Sequence, residues 1–194
     1  FSVAFNEISR VIDPLPNQRL MCVSLVAGRY HSFLIADTRI HEVPTAEELA
    51  DIASEAAQFA RKFGHDPRVA LLSFSNFGQP MRPHMQRIRD AVSILEDRQV
   101  DFEFDGDMQA GVALDYDLMQ DVFPFCRLTG PANVLVMPAL HSASISSNLI
   151  AAVGCGTVIG PILVGLSKPI QIVPLGSSVN DLVNIAAFAA HDAI

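Results

Sequence analysis

Between Arg127 and Lys168 the sequence has no Asp, Glu, Lys or Arg, although the 194-residue chain contains 34 charged residues, 13 basic and 21 acidic. Parallel strands covered on both faces have this continuous apolar character. A membrane span over Leu149–Leu166 is long enough in principle. However, this window holds four glycines and Pro161 and lacks a basic residue on its N-terminal side. We therefore expect a buried α/β segment, or a surface that a partner or further chain covers.

The composition predicts a folded domain and excludes some partners. Half of the residues are hydrophobic and 18% are charged, which suits one domain or two small lobes with a sizeable core. The net charge is −8 and basic residues do not cluster, so we expect no nucleic-acid partner. The chain begins at Phe1, and we expect a cytoplasmic fragment or processed chain without a signal peptide or membrane anchor. Cys22, Cys126 and Cys155 are predicted to be buried, reduced thiols.

Apolar runs and helical periodicities alternate along the chain. Strands are predicted at Leu20–Ala27, Phe33–Ala36, Val69–Phe74, Phe102–Phe104, Asn133–Met137, Val158–Val164 and Ile170–Val173. Helices are predicted at Thr45–Phe63, from Pro83 to about Asp97, at Asp115–Val122, at Ser142–Ala152 and at Ser178–Ala193. Gly160-Pro161 should break one apolar run, and Asp105-Gly106 should end another. The alternation predicts an α/β fold with a mostly parallel sheet and helices on both faces.

Motifs for familiar chemistry are missing from the sequence. It has no dinucleotide-binding fingerprint, Walker loop or H-E-x-x-H motif. Asp101, Glu103, Asp105 and Asp107 alternate at a strand end, where they could hold a divalent cation or form a solvated edge. We favour the solvated edge and expect no metal site.

Several segments resemble, in order, the phosphate acetyl/butyryl transferase family. They read LLSFSNFG from Leu71, FDGDMQA from Phe104, GPANVLVMP from Gly130, IGPIL from Ile159 and GLSKP from Gly165. The ordered set extends from about Phe33 to Asn184. The S-F-S-N-F-G variant, the late L-G-S-S-V and the segment HSASIS from His141 look most like the phosphotransacetylase-type domain at the C-terminus of long bacterial NADP-dependent malic enzymes.

This resemblance implies an architecture similar to isocitrate/isopropylmalate dehydrogenases, with two lobes and a ligand cleft between them. Residues 1–19 would be an N-terminal helical lead-in, and residues 20–165 one complete lobe that forms a homodimer or a higher homo-oligomer. Residues 166–194 would be a strand and helix returning to the other, mostly missing lobe. NADP and a divalent metal would belong to the malic-enzyme part, so no cofactor is expected in this chain, whereas acetyl-CoA is the expected effector.

The sequence departs from the family at the catalytic segment. Acetyltransferases of the family have a Ser-Arg pair for the acyl phosphate, then a glycine, then an Asp that is the proposed base for the CoA thiol. Here Pro174 and Leu175 replace the pair, Gly176 follows, and Asp181 is retained. Leucine brings no positive charge to a phosphate, and proline has neither a hydroxyl nor an N–H donor. We therefore expect no catalytic residue, and Asp181 also fits a helix cap with Ser178.

Three functions remain open at this stage. The first is a regulatory and assembly domain that binds acetyl-CoA without turnover, through the turn Gly176-Ser177-Ser178, Asp181 and a facing wall at Gly160 and Pro161. Free N–H groups at a helix N-terminus suit a CoA phosphate. The second is a working phosphate acetyltransferase, and the third is an oligomerisation scaffold without a ligand.

Overall fold

A computed structural model describes residues 1–16, 18–28, 31–154 and 156–193, which fold around one six-stranded sheet. The strands are β1 (Met21–Gly28), β2 (Ser32–Ala36), β3 (Arg68–Leu72), β4 (Glu103–Met108), β5 (Val134–Val136) and β6 (Gly156–Val164). The helices are α1 (Ser2–Ile8), α2 (Ala46–Lys62), α3 (Gln86–Asp97), α4 (Ala110–Leu114), α5 (Tyr116–Val122), α6 (Leu140–Val153) and α7 (Val179–Asp192). A 3-10 turn at Pro83–Met85 leads into α3.

The sheet is mixed, with strand order β4-β3-β5-β2-β1-β6. The first four strands in this order are parallel, but β1 is antiparallel to both β2 and β6. The prediction of a mostly parallel sheet therefore holds for three of the five strand pairs, and β1 runs against the other five strands. Only residues 29–31 separate β1 from β2 in the sequence, and a parallel pair needs a crossover connection of about a dozen residues or more.

Helices cover both faces of the sheet, as predicted. Along β3, Val69 and Leu71 face a core that includes α2 and α3, whereas Ala70 and Leu72 face a core that includes α4, α5 and α6. Because successive side chains of a strand point to opposite faces, one apolar strand contributes to two cores. Helix α1 packs at one end of the sheet in a third cluster with Cys22.

The segment expected to be an N-terminal helical lead-in is helical only at Ser2–Ile8. Farther along, residues 13–15 run beside residues 165–167, with Pro14 bridged to Leu166 and the Leu15 N–H donating to the Gly165 carbonyl over 2.8 Å. The domain limits at residues 19 and 165 stay a prediction, although all six strands lie between Met21 and Val164.

Gly160-Pro161 does not break the apolar run, contrary to the prediction, because β6 continues through it in a bulge. Val23 pairs with Ile162 and Leu25 with Ile159, so two residues of β6 face Ser24 alone. A bulge accommodates a proline that has no N–H to donate. Gly160 has φ +146°, and a Cβ there would lie 2.9 Å from Ser24 Oγ, so the backbone itself requires glycine.

Two further strand predictions are wrong. Residues 170–173 form no strand; instead the Gln171 side chain donates to the Leu163 carbonyl over 2.9 Å and accepts from its N–H over 2.8 Å. Strand β4 does not end at Asp105-Gly106 but continues to Met108. Its register against β3 shifts at this point, because Leu71 pairs with Gly106 and Leu72 with Met108.

The interpretation of the acidic run as a solvated edge is wrong for two of its members. Asp107 is fully buried and accepts hydrogen bonds from the Ser75 hydroxyl and, over 2.9 Å, from the Gly78 N–H. Asp105 is also buried and is paired with Arg127 at 3.0 Å. Across the described ranges, no three His, Cys, Asp or Glu side chains are grouped so that they could hold a metal ion.

The charge-free stretch does not form a membrane-spanning helix. The window 149–166 comprises the end of α6, a turn and β6, and no helix within the described parts of the chain is long and apolar enough to cross a membrane. Cys22 and Cys126 are free and buried, as predicted. Burial raises the pKa of the Cys126 thiol to about 11, whereas the prediction for Cys155 lies outside the described residues.

Candidate binding site at the start of the C-terminal helix

The turn before α7 is built by a reciprocal cap. The Asp181 N–H donates to Ser178 Oγ over 3.2 Å, and the Ser178 N–H and hydroxyl both donate to Asp181 Oδ2 over 2.8 Å. These hydrogen bonds from Ser178 lower the pKa of Asp181 below its usual value. The predicted capping box is therefore confirmed, and the Asp181 carboxylate is held in its ionised form.

A cavity of about 340 Å³ lies beside this turn, between α7 and β6. Gly160, Gly176, Ser177 and Asp181 all line it. Its remaining walls are Val158, Ile159, Ile172, Val173, Pro174 and Ile185. The structure therefore brings four of the predicted ligand residues to one cavity, although they come from segments separated by some fifteen residues.

A second cavity of about 520 Å³ lies on the side of α1. Pro161, Pro174 and Leu175 line it together with Arg39 and the beginning of α1. Ile172, Val173 and Pro174 belong to the walls of both cavities, so this short segment separates them. Although Gly160 and Pro161 are neighbours in sequence, they line different cavities. Pro161 lines the cavity that also contains Pro174 and Leu175, the two residues that replace the Ser-Arg pair.

The segment between the two cavities is open to an incoming molecule. The Leu175 side chain is fully exposed, and a Cβ at Gly176 would meet no described atom within 4 Å. The Ser177 N–H closes the turn by donating to the Pro174 carbonyl over 3.1 Å. Ser178 does not line either cavity, and its side chain is used by the cap. The site therefore offers shape, main-chain groups and the Ser177 hydroxyl, but no cation at Leu175.

Sequence reasoning missed Arg39 and the apolar walls at Ile172 and Val173. The sequence predicts a strand over Ile170–Val173, and a strand there would not place Ile172 and Val173 beside the turn. A sequence signal for Arg39 did exist, since it follows the buried strand β2 directly after Asp37 and Thr38. At such a position a polar side chain lies at the carboxyl end of a strand, where α/β proteins bind ligands.

Solved structures of phosphotransacetylases have the same fold as this chain. The chain aligns with a phosphotransacetylase from Streptococcus pyogenes with a TM-score of 0.89 and 32% identity, covering 97% of this chain and 58% of that one. The fold is thus that of a phosphotransacetylase-like α/β domain.

The sequence comparison gives the family. The profile described as phosphate acetyl/butaryl transferase matches residues 2–190, and the chain belongs to this family. An NADP-dependent malic enzyme from Rhizobium meliloti is 52% identical over the whole chain, which covers 25% of that enzyme. A phosphate acetyltransferase from Treponema pallidum is 40% identical over 84% of the chain, which corresponds to 49% of its own length. The chain therefore spans between a quarter and a half of these relatives.

Proposed function

We propose that this chain is the phosphotransacetylase-like regulatory and oligomerisation domain of a cytoplasmic NADP-dependent malic enzyme, which decarboxylates malate oxidatively to pyruvate. In this proposal the domain binds acetyl-CoA and does not transfer its acyl group. The malic-enzyme relatives support it, because this chain matches about a quarter of their length and leaves room for a separate malic-enzyme part. NADP and the divalent metal belong to that other part.

The observation that carries the proposal is the uncharged side chain at residue 175. In the acetyltransferases that this sequence resembles, this position has an arginine, and here the fully exposed Leu175 lines a cavity beside Pro174. The developing charge of a phosphoryl group needs a preorganised cation, and losing one such stabiliser costs about 3 kcal/mol or more in the transition state. The site therefore lacks the main electrostatic requirement for acyl transfer to phosphate.

The state of Asp181 supports the same conclusion. A general base works best when its pKa lies near the working pH. The hydrogen bonds from Ser178 instead lower the pKa of Asp181. A carboxylate held in this way suits a helix cap better than the removal of a proton from a thiol.

Binding makes fewer demands than catalysis, so a ligand site can persist without turnover. The cavity at Gly160, Gly176 and Ser177 presents a turn at the positive end of α7, which favours a phosphate of CoA. Binding of acetyl-CoA to one arrangement of the enzyme would shift its population and so regulate malate oxidation.

The alternative is an active phosphate acetyltransferase. Relatives named as phosphate acetyltransferases and the retained Asp181 favour this alternative. An assay of acetyl phosphate formation from acetyl-CoA and phosphate separates the two functions. We expect no product above the background, whereas sustained turnover by the unmodified protein would overturn the argument from the missing cation.

Acetyl-CoA binding is tested by a charge placed at the turn. In the whole malic enzyme of this proposal, we expect Ser177→Glu to weaken inhibition of malate oxidation by acetyl-CoA about tenfold, which corresponds to roughly 1.4 kcal/mol of coupling. Ser93→Glu, on the exposed side of α3, is the matched control and should leave inhibition unchanged. If acetyl-CoA neither binds nor inhibits the unmodified protein, the scaffold function replaces the regulatory one.

A homodimer is proposed through α6. Ile145, Leu149 and Val153 succeed one another at four-residue intervals, and each side chain is at least 60% exposed. Such an apolar stripe can pack against the same stripe of a second copy across a twofold axis. We expect Leu149→Glu to convert a dimer into a monomer in sedimentation, with Leu175→Glu as the control. A monomer in the unmodified protein at micromolar concentration would contradict the dimer.

A further inference from the structure

The cavity on the side of α1 has one cationic side chain in an apolar surrounding. Its walls include Val3, Ala4, Pro161, Val173 and Leu175, and Arg39 is the charged side chain among its lining residues. Apolar walls lower the local dielectric and strengthen the attraction between a guanidinium and an anion. This cavity therefore combines an apolar surface with a point of anion recognition.

The main chain around Arg39 is fixed by a buried carboxylate. Asp37 Oδ1 accepts from the N–H groups of Cys22 over 2.9 Å and of Arg39 over 3.0 Å, and its Oδ2 accepts from the His41 N–H over 2.8 Å. The His41 ring also lies 2.7 Å from Oδ2. With the Ile40 N–H, which also donates to this carboxylate, five donors surround one buried group and fix the main chain on both sides of the Arg39 Cα.

The Arg39 side chain itself is free to bind. It is exposed, and within the described parts of the chain its guanidinium has no ion pair and no hydrogen bond. By contrast, Arg19, Arg61, Arg98 and Arg127 each pair with carboxylates. Among the described residues Arg82 and Arg89 also lack a carboxylate partner and line a cavity, but Arg39 is the unpaired arginine that lines a cavity together with Leu175.

We propose that Arg39 binds a phosphate group of the ligand in this cavity and that this contact serves binding alone. The inference rests on the proposed function, since the ligand is taken to be acetyl-CoA. A guanidinium binds phosphate through two parallel hydrogen bonds. The two cavities share the walls Ile172 to Pro174, so one extended ligand can contact both. Arg39 is exposed and belongs to the loop after β2, so it can bind a phosphate without taking the place of the family's arginine at residue 175.

The test is calorimetric titration of the full chain with two probes, acetyl-CoA and acetyl phosphate. We expect Arg39→Ala to weaken binding of both about tenfold or more, because a charged hydrogen-bonding pair is lost. Arg39→Lys keeps the charge but not the paired donors, and its loss should be smaller. Arg82→Ala removes an exposed arginine elsewhere and is the matched control. Thermal unfolding of Arg39→Ala should match the unmodified chain, because the side chain has no described partner.

The outcomes separate this inference from the function on which it rests. Equal affinity of Arg39→Ala and the unmodified chain for both probes overturns the role of Arg39 and leaves acetyl-CoA binding intact. Arg39-dependent binding of acetyl phosphate without binding of acetyl-CoA upholds the cation site and overturns the effector. If the unmodified chain binds neither probe, both are overturned.

Discussion

Helices α2 and α7 begin in the same way and end up in different surroundings. Each has a complete capping box, formed by Thr45 with Glu48 and by Ser178 with Asp181. Nine residues of α2 are buried, whereas Ile185 is the one buried residue among those of α7. Val179, Leu182 and Val183 remain exposed on α7.

The comparison shows that local signals decide where a helix starts and that neighbouring elements decide what it buries. Helix α2 belongs to a core region, residues 32–97, in which strands and helices pack tightly. Helix α7 belongs to a C-terminal region, residues 140–193, which has exposed apolar side chains on both of its helices and contributes walls to the two cavities beside residues 172–174.

The largest expected contrast comes from the same substitution made in both regions. Leu71 is 1% exposed at the centre of β3, and Leu175 is fully exposed. Leu71→Ala leaves a cavity and should lower the free energy of unfolding by about 3 kcal/mol, while Leu175→Ala should change it by less than about 0.5 kcal/mol. Urea unfolding measures both, and equal losses would show that the C-terminal region is packed as tightly as the core region.

A second substitution tests the loop that presents Arg39. Burial alone raises the pKa of Asp37, but hydrogen bonds from the His41 ring and from main-chain N–H groups outweigh it and lower the pKa overall. A carboxyl with a lowered pKa stabilises the fold above its usual pKa of about 4, and this contribution disappears as the pH falls through the folded value.

Asp37→Asn should therefore destabilise the chain at pH 7 by about 2 kcal/mol, since buried N–H groups lose a charged acceptor. Its free energy of unfolding should also fall less steeply between about pH 5 and pH 2. Asp13→Asn, at an exposed site, is the control. An unchanged acid profile in Asp37→Asn would show that this carboxylate does not hold the loop.

The smallest effects come from removing the two caps. An N-cap serine or threonine contributes about 1 kcal/mol to its helix. Thr45→Ala should lower global stability by this amount, because α2 is part of the core. Ser178→Ala should instead reduce amide-exchange protection in α7 and leave the urea midpoint nearly unchanged. A shift of the midpoint as large as that for Thr45→Ala would mean that α7 unfolds together with the core.

Much of the core region was predictable because its signals are local. The capping box, the 3.6-residue periodicity of α2 and the apolar run of β3 all appear at the predicted places. The predictions failed where the conformation of one segment depends on contacts with a distant segment. Gly160-Pro161 forms a bulge only because Ser24 lies opposite, and residues 170–173 stay irregular because a side chain, Gln171, makes the bonds of a strand.

In the candidate site, too, the residues placed by local sequence signals were predictable and those placed by long-range packing were not. Gly176, Ser177 and Asp181 are close in sequence, and their position at a helix start was predictable from the cap. Arg39 lies more than a hundred residues away, and only the packing of β2 and α1 beside the Ile172–Pro174 segment brings it to the cavity. The position of Arg39 after β2 indicates the carboxyl end of a strand, but no spacing rule in a single sequence reveals that residues 172–174 approach it there.

The central claim, ligand binding without acyl transfer, is tested by equilibrium dialysis of acetyl-labelled acetyl-CoA against the protein in inorganic phosphate, followed by chromatography of the recovered label. We expect the protein to retain the label and to return it entirely as acetyl-CoA. Label recovered as acetyl phosphate would contradict the claim, because the site would then catalyse the transfer without a cation at Leu175. If the protein retains no label, the claim is contradicted equally, because the protein then does not bind acetyl-CoA.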